Sequence, residues 1–220
     1  ELVSDVLPYE EMKLRMLNGS HSFLAYLGYL AGYEHINDCM ADNDFKRAAY
    51  ALMLQEQAVT LKVTGVDLTR YADELIARYC NTALRHRTWQ IAMDGSQKLP
   101  QRMLDSVQWL LDNKQPFSLL ALGIAGWMRY VSGKDEHGKN IEVCDPLVQQ
   151  LQEVVTSTES DEGRVVGFLS IDAIFGRKLP ANPLFVKAVT RAFNELVANG
   201  SKATVGKYVS ELDLSLLRMR

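Results

Sequence analysis

Residues 8–22 read PYEEMKLRMLNGSHS, and this stretch indicates how the chain folds. Pro8 is favourable in the first turn of a helix, because its missing N–H would have no partner there. From Met12 to beyond Tyr29 the apolar residues recur at helical spacing. We therefore expect a long amphipathic helix close to the start of the chain.

Three polar residues in this helix follow the pattern Lys-x4-Asn-x2-His, namely Lys13, Asn18 and His21. An α-helix turns roughly 100° per residue, which places Asn18 about 140° and His21 about 80° around the axis from Lys13. Asn18 and His21 are three residues apart and are direct neighbours on the helix surface. An amine, an amide and an imidazole that face one cleft could deprotonate an alcohol and hold the resulting oxygen.

The rest of the chain also has helical patterns separated by glycine, proline and polar turns. Alternating strand patterns are few, and the best of them, residues 165–169, has neighbours that favour a helix. We expect loops at residues 94–98 and 132–140. The expected helices cover residues 42–65, 67–80, 82–93, 100–113, 117–130, 145–156, 164–175, 183–199 and 204–212. The sequence thus predicts an all-α fold, a compact multi-helix domain, in place of a βαβ sheet.

Composition narrows the classes of function. The chain has 220 residues, 47% of them hydrophobic, and a formal net charge of −3, which argues against general nucleic-acid binding. The most apolar run, residues 117–128, is too short to span a membrane. Cys39, Cys80 and Cys144 are odd in number and far apart, so we expect reduced thiols and a cytoplasmic protein.

The stretch PYEEMKLRMLNGSHS closely resembles the signature segment of the long-chain polyol dehydrogenases, the mannitol dehydrogenase and hexuronate (fructuronate) reductase family. The likeness continues through YLGY (26–29) and AMDGSQKLP (92–100). It implies that residues 1–220 form the helical C-terminal substrate-binding and catalytic domain, of the 6-phosphogluconate dehydrogenase C-terminal type. In that family an N-terminal Rossmann domain binds NAD. No GxGxxG occurs here, so we expect that domain to be absent from this chain.

The resemblance also implies roles for individual residues. Lys13 matches the general base, while Asn18 and His21 match the groups that hold the substrate oxygen. Lys98 is similar to the lysine of a second, substrate-binding segment. The implied cofactor is NAD, bound mainly by the N-terminal domain, without a metal. The implied substrate is a small sugar alcohol or sugar acid, of the mannitol/fructose or mannonate/fructuronate type. The sequence DGSQKLP more closely resembles the fructuronate reductase branch.

These roles make chemical sense. A lysine accepts a proton only when its pKa falls from about 10.4 toward neutrality, and burial or nearby cations such as Lys98 have that effect. Asn18 and His21 would donate hydrogen bonds to the oxygen, as in an oxyanion hole. In the reverse direction Lys13 would protonate the alkoxide.

Two other interpretations remain open. The chain could be a non-enzymatic helical interaction module, in which Lys13, Asn18 and His21 are ordinary surface residues. An interaction module would leave Lys13 solvated on a convex face, whereas an enzyme needs it in a concave site. Tyr9-x3-Lys13 also matches the Tyr-x3-Lys pair of short-chain dehydrogenases, although the nucleotide sheet and glycine-rich loop of those enzymes have no counterpart in the sequence.

Overall fold

The computed structural model describes residues 6–212, and these form an all-helical domain. Among them no strand occurs, and two isolated bridges join His35 to Arg87 and Lys134 to Asn140. None of the described helices is both long and apolar enough to cross a membrane. The elements are α1 (Leu7–Met12), π1 (Lys13–Gly19), α2 (Ser20–Leu30), α3 (Ile36–Ala41), α4 (Asn43–Ala51), π2 (Leu52–Gln57), a 3₁₀ turn (Ala58–Thr60), α5 (Leu68–Tyr79), α6 (Thr88–Ala92), α7 (Gly95–Leu99), π3 (Pro100–Leu104), α8 (Asp105–Asp112), α9 (Ser118–Val131), α10 (Val148–Ser157), α11 (Asp161–Leu169), α12 (Asp172–Phe175) and α13 (Pro183–Ser210). The predicted all-α class is confirmed.

The expected long first helix is present, but its middle is a π-helix. α1, π1 and α2 follow one another without a break. In a π-helix the backbone hydrogen bond joins residues five apart, so residues at that spacing are neighbours along the helix surface. Lys13 and Asn18 have this spacing. The angle of about 140° expected between them from α-helical geometry therefore does not apply.

The three π-helical segments meet at Gly19. A Cβ atom on Gly19 would lie 2.8 Å from the backbone oxygen of Arg102 in π3 and 2.8 Å from the side-chain nitrogen of Gln57 in π2. Gln57 is fully buried. Its Nε2 donates to the Arg102 oxygen at 2.9 Å, and its Oε1 accepts from Ser106 Oγ at 2.5 Å. The absence of a side chain at Gly19 thus allows the segments to touch.

The helix α9 forms the centre of the core. Its residues 119–128 are all buried, and it packs mainly against α13 and α2. Its N-terminus is held by the buried Glu56 of π2, whose carboxylate oxygens accept hydrogen bonds from the N–H groups of Leu119 at 2.9 Å and Leu120 at 2.7 Å. Burial raises the pKa of Glu56 to about 7, although the hydrogen bonds from the helix lower it.

Several expected boundaries are wrong. The loop expected at residues 94–98 is instead the start of α7, because Met93 and Asp94 make the turn between α6 and α7. Asp94 has a left-handed φ of 57°, and its N–H donates to the Cys144 oxygen at 2.9 Å. The helix expected at residues 82–93 is confined to α6, and residues 165–169 lie in α11. The helix break expected at Gly200 is confirmed by its φ of 78° within α13.

We predict that Gly19→Ala lowers the free energy of unfolding by about 1–3 kcal/mol, because the new methyl group would press on the backbone of π3. The measurement is urea denaturation of parent and variant. Gly206→Ala, also in a helix, is the matched control, since its Cβ would meet only the Asp44 side chain at 3.0 Å. That control should be neutral or stabilised by up to about 1 kcal/mol. Equal effects of the two substitutions would contradict the packing at Gly19.

Candidate active site

The structure places the three sequence-predicted site residues on one continuous helix. Lys13 opens π1 and is exposed, Asn18 lies near the end of π1 and is half-buried, and His21 lies in the first turn of α2 and is half-buried. The π register brings Lys13 and Asn18 to the spacing of surface neighbours. The exposure of Lys13 means that this domain alone does not desolvate its amine, and its role as a base stays a prediction.

His21 is the most constrained of the three side chains. Its ring stacks on Tyr79, with centroids 4.4 Å apart and planes 23° from parallel, and it contacts His86 edge-on at 5.8 Å. Burial, followed by the charges of His86, Arg102 and Arg78, lowers the pKa of His21 to about 3. The imidazole is therefore neutral at pH 7, with one nitrogen as donor and the other as acceptor.

One ring nitrogen of His21 has no hydrogen-bond partner among the described residues. Its Nε2 is buried and makes no hydrogen bond within residues 6–212. A buried polar atom without a partner costs about 1–3 kcal/mol, so such atoms are rare in native structures. A ligand oxygen that bonds to Nε2 would remove this cost.

Tyr79 of α5 positions both His21 and the preceding π-helix. Besides stacking on the imidazole, its hydroxyl donates to the Leu17 oxygen at 2.9 Å and lies 2.9 Å from Ser20 Oγ. Ser20 in turn donates to the Met16 oxygen at 2.6 Å. Burial raises the pKa of the Tyr79 hydroxyl, which therefore stays protonated. Sequence reasoning missed this residue, because a tyrosine on an apolar helix face is typical of ordinary core packing.

Arg102 of π3 is a second residue that sequence reasoning missed. Its Nη1 donates to Ser22 Oγ at 3.0 Å and contacts the Asn18 oxygen at 3.5 Å. Burial lowers its pKa, and its charge acts on His21. Nothing in the sequence separated Arg102 from other surface arginines, because it approaches Asn18 only through the packing of π3 on π1.

Lys98 lies in α7, one turn before Arg102. Its amine is half-buried and donates to the Ile91 oxygen at 3.2 Å. Burial and the charge of Arg102 lower the pKa of Lys98. Asp145 holds the start of α7, because its carboxylate accepts hydrogen bonds from the N–H of Ser96 at 2.8 Å and from the Ser96 hydroxyl at 2.6 Å. Lys98 thus lies in α7, which continues directly into π3, the element that carries Arg102.

Among residues 6–212, no group of three or more His, Cys, Asp or Glu side chains is arranged to hold a metal ion. The ring of His86 contacts the ring of His21 edge-on.

With this geometry in place, similarity to known proteins identifies the family. Residues 5–197 match the mannitol dehydrogenase C-terminal domain. The chain belongs to this family. The resemblance in the sequence motifs is thereby confirmed, and so is the helical domain type.

Three relatives illustrate the range of this domain family. The chain is 68% identical over 208 residues to the uncharacterized oxidoreductase YdfI of Escherichia coli K12, covering 94% of this chain and 43% of the relative. It is 53% identical over 206 residues to the D-mannonate oxidoreductase of the same organism, covering 93% and 42%. The structure of Pseudomonas fluorescens mannitol 2-dehydrogenase, in a ternary complex with NAD and D-mannitol, superposes with a TM-score of 0.89 at 33% identity, covering 96% and 42%. The chain therefore spans about two fifths of the length of these relatives.

We predict that His21 makes the domain less stable in acid. Its pKa is about 3 in the folded state and about 6.5 when unfolded, so below pH 6.5 the unfolded chain binds the proton first. The free energy of unfolding then falls by up to about 1.4 kcal/mol per pH unit between these two values, and the penalty is absent above pH 6.5. Urea denaturation at pH 7 and pH 5 measures the slope.

His21→Gln should flatten this dependence, whereas His137→Gln, at an exposed loop position, should keep the slope of the parent. An unchanged slope in His21→Gln would show that the imidazole is not held neutral by the fold.

Proposed function

We propose that this chain is the substrate-binding and catalytic part of an NAD-dependent dehydrogenase that interconverts a sugar alcohol or sugar acid and its ketose. The observation that carries the proposal is the unpartnered, buried Nε2 of a neutral His21, on the same helix as Lys13 and Asn18. The likeness to D-mannonate oxidoreductase and to mannitol 2-dehydrogenase supports both substrate types.

The described residues form no parallel sheet with a glycine-rich turn, the structure that would hold a dinucleotide. We therefore assign no cofactor-binding residue within residues 6–212. In the proposed enzyme NAD is held mainly by an N-terminal Rossmann domain, which is also the domain's partner, and no metal takes part. The cofactor, when bound, supplies the acceptor for the hydride that leaves the carbinol carbon.

In the proposed mechanism Lys13 handles the proton. Its neutral amine takes the hydroxyl proton of the substrate during oxidation, and its ammonium returns one to the alkoxide during reduction. Asn18 and His21 donate hydrogen bonds to the oxygen as negative charge develops on it. A neutral imidazole is suited to this task, because it donates through one nitrogen without giving up its proton at pH 7.

Lys13 is exposed in this domain, so its desolvation has to come from closure against the nucleotide domain and the bound substrate. Desolvation lowers the pKa of an amine, and nearby cations lower it further. Lys98 supplies positive charge on α7. We assign Lys98 to substrate binding, since its amine has further donors besides the one that bonds to Ile91.

We also propose that the enzyme is cytoplasmic. All three cysteines are free in the structure, which fits a reducing compartment. The proposed ligands are small molecules, and neither nucleic acid nor a membrane is part of the proposal.

We predict that Lys13→Ala, in the full-length protein that contains this chain, lowers kcat at neutral pH by about 10²–10⁴-fold, the usual contribution of a positioned acid–base group. Initial rates of NAD reduction with D-mannonate and D-mannitol measure the effect. Lys62→Ala, at an exposed position outside the helix, is the matched control and should keep the parent rate. Turnover of Lys13→Ala within a few-fold of the parent would show that Lys13 is not the general base.

A further prediction concerns the isolated domain. Residues 1–220 alone should show no NAD-dependent turnover, because we assign cofactor binding to another domain. The same assay with the isolated chain, at the enzyme concentration used for the full-length protein, is the measurement. Clear turnover would mean that these helices bind the dinucleotide themselves.

A further inference from the structure

Arg102 carries a charge that has no carboxylate partner in the part of the chain that the structure describes. Its guanidinium is half-buried, and its Nη1 bonds there to two neutral groups, the Ser22 hydroxyl and the Asn18 carbonyl. Within residues 6–212 no carboxylate lies within ion-pair distance of Arg102, while the arginines at positions 15, 70, 164, 177 and 191 each pair with one. Partly buried cations are usually paired with an anion, because removal from water penalises the charge.

The surroundings of Arg102 are also positively charged. Arg102, Arg78 and His86 all act on His21 in the direction that opposes a proton there. Lys98 lies one turn before Arg102 and is affected by its charge in the same direction. Asp94 and Asp145 act on Lys98 in the opposite direction, but among the described residues no carboxylate lies within ion-pair distance of Lys98 or Arg102. The candidate site therefore has an excess of positive charge around Asn18 and His21.

We propose that Arg102 binds the carboxylate of an anionic sugar acid, and so makes the enzyme selective for an aldonate over the corresponding neutral alditol. This inference rests on the proposed function, and it adds the residue that chooses between the two substrate types left open there. Nη1 is fixed by Ser22, which orients the planar guanidinium, and a guanidinium matches a carboxylate through two parallel N–H bonds.

The position of Arg102 suits such a role. The guanidinium contacts the backbone of Asn18 and influences His21, the two groups proposed to hold the reacting oxygen. If Asn18 and His21 hold the reacting hydroxyl of a sugar acid, the carboxylate at the other end of the substrate can reach Arg102 of π3. A neutral alditol would leave the Arg102 charge uncompensated in a partly desolvated site, whereas an aldonate would neutralise it.

The test uses the full-length enzyme with D-mannonate and D-mannitol as a pair that differs at the carboxylate. The parent should oxidise D-mannonate with the higher kcat/KM. Arg102→Gln should lower kcat/KM for D-mannonate by about 100-fold, mainly through KM, and change the value for D-mannitol by less than about 3-fold. Arg102→Lys should recover part of the loss, because it restores the charge without the planar pair of donors.

Arg78→Gln is the matched control. It removes the same charge from a position that also acts on His21 but is exposed, and it should leave the ratio of the two kcat/KM values within about 3-fold of the parent. An equal loss of kcat/KM for D-mannonate in Arg78→Gln would mean that the overall positive charge of the site, and not contact with Arg102, attracts the sugar acid. An equal loss on both substrates in Arg102→Gln would show a structural role instead of recognition.

The dehydrogenase function and the role of Arg102 can fail independently. If the parent oxidises neither substrate with NAD, the proposed function fails. If the parent turns over D-mannitol at least as well as D-mannonate, or if Arg102→Gln keeps the selectivity of the parent, the role of Arg102 fails while the dehydrogenase remains.

Discussion

The contact between Gly19 and the hydrogen-bonded pair Arg102–Gln57 is the constraint on which the site depends. Because Gly19 has no side chain, the backbone of π3 can approach π1 to within the space that a Cβ atom would fill. The amide of Gln57 then bridges the two segments through the Arg102 oxygen. This approach carries the Arg102 side chain to Asn18 and Ser22, so one small residue positions a charge that belongs to another helix.

The π-helical geometry of the three segments also determines which residues lie next to each other. A π turn changes which residues are neighbours along a helix, and such turns often occur at functional sites. In π1 it sets Lys13 and Asn18 at neighbour spacing. In π2 the consecutive residues Glu56 and Gln57 have different partners. Glu56 bonds to the first turn of α9 while Gln57 bonds to π3. The core helix and the candidate site are therefore tied to the same short segment.

The fold holds His21 in a fixed position and in the neutral state. Stacking on Tyr79 fixes the ring, and burial keeps it neutral. Tyr79 in turn donates to the Leu17 oxygen of π1, so the imidazole and the π-helix support each other. The unpartnered Nε2 is a local cost to stability, and a site of this kind is where a protein accepts such a cost in return for binding.

The sequence by itself determined the helical class, the long first helix, and the order of Lys13, Asn18 and His21 along it, because these follow from apolar spacing and local motifs. The resemblance of residues 92–100 to a known family also pointed to Lys98, whose role in substrate binding stays a prediction. The loop predicted at residues 94–98 was wrong because Asp94 adopts a left-handed conformation, and its N–H bonds to the oxygen of Cys144 in a distant segment. Only the tertiary structure decided the π-helical register, the neutrality of His21 and the presence of Tyr79 and Arg102 beside it. Those features come from close packing between segments far apart in the chain, and local residue patterns carry no record of such contacts.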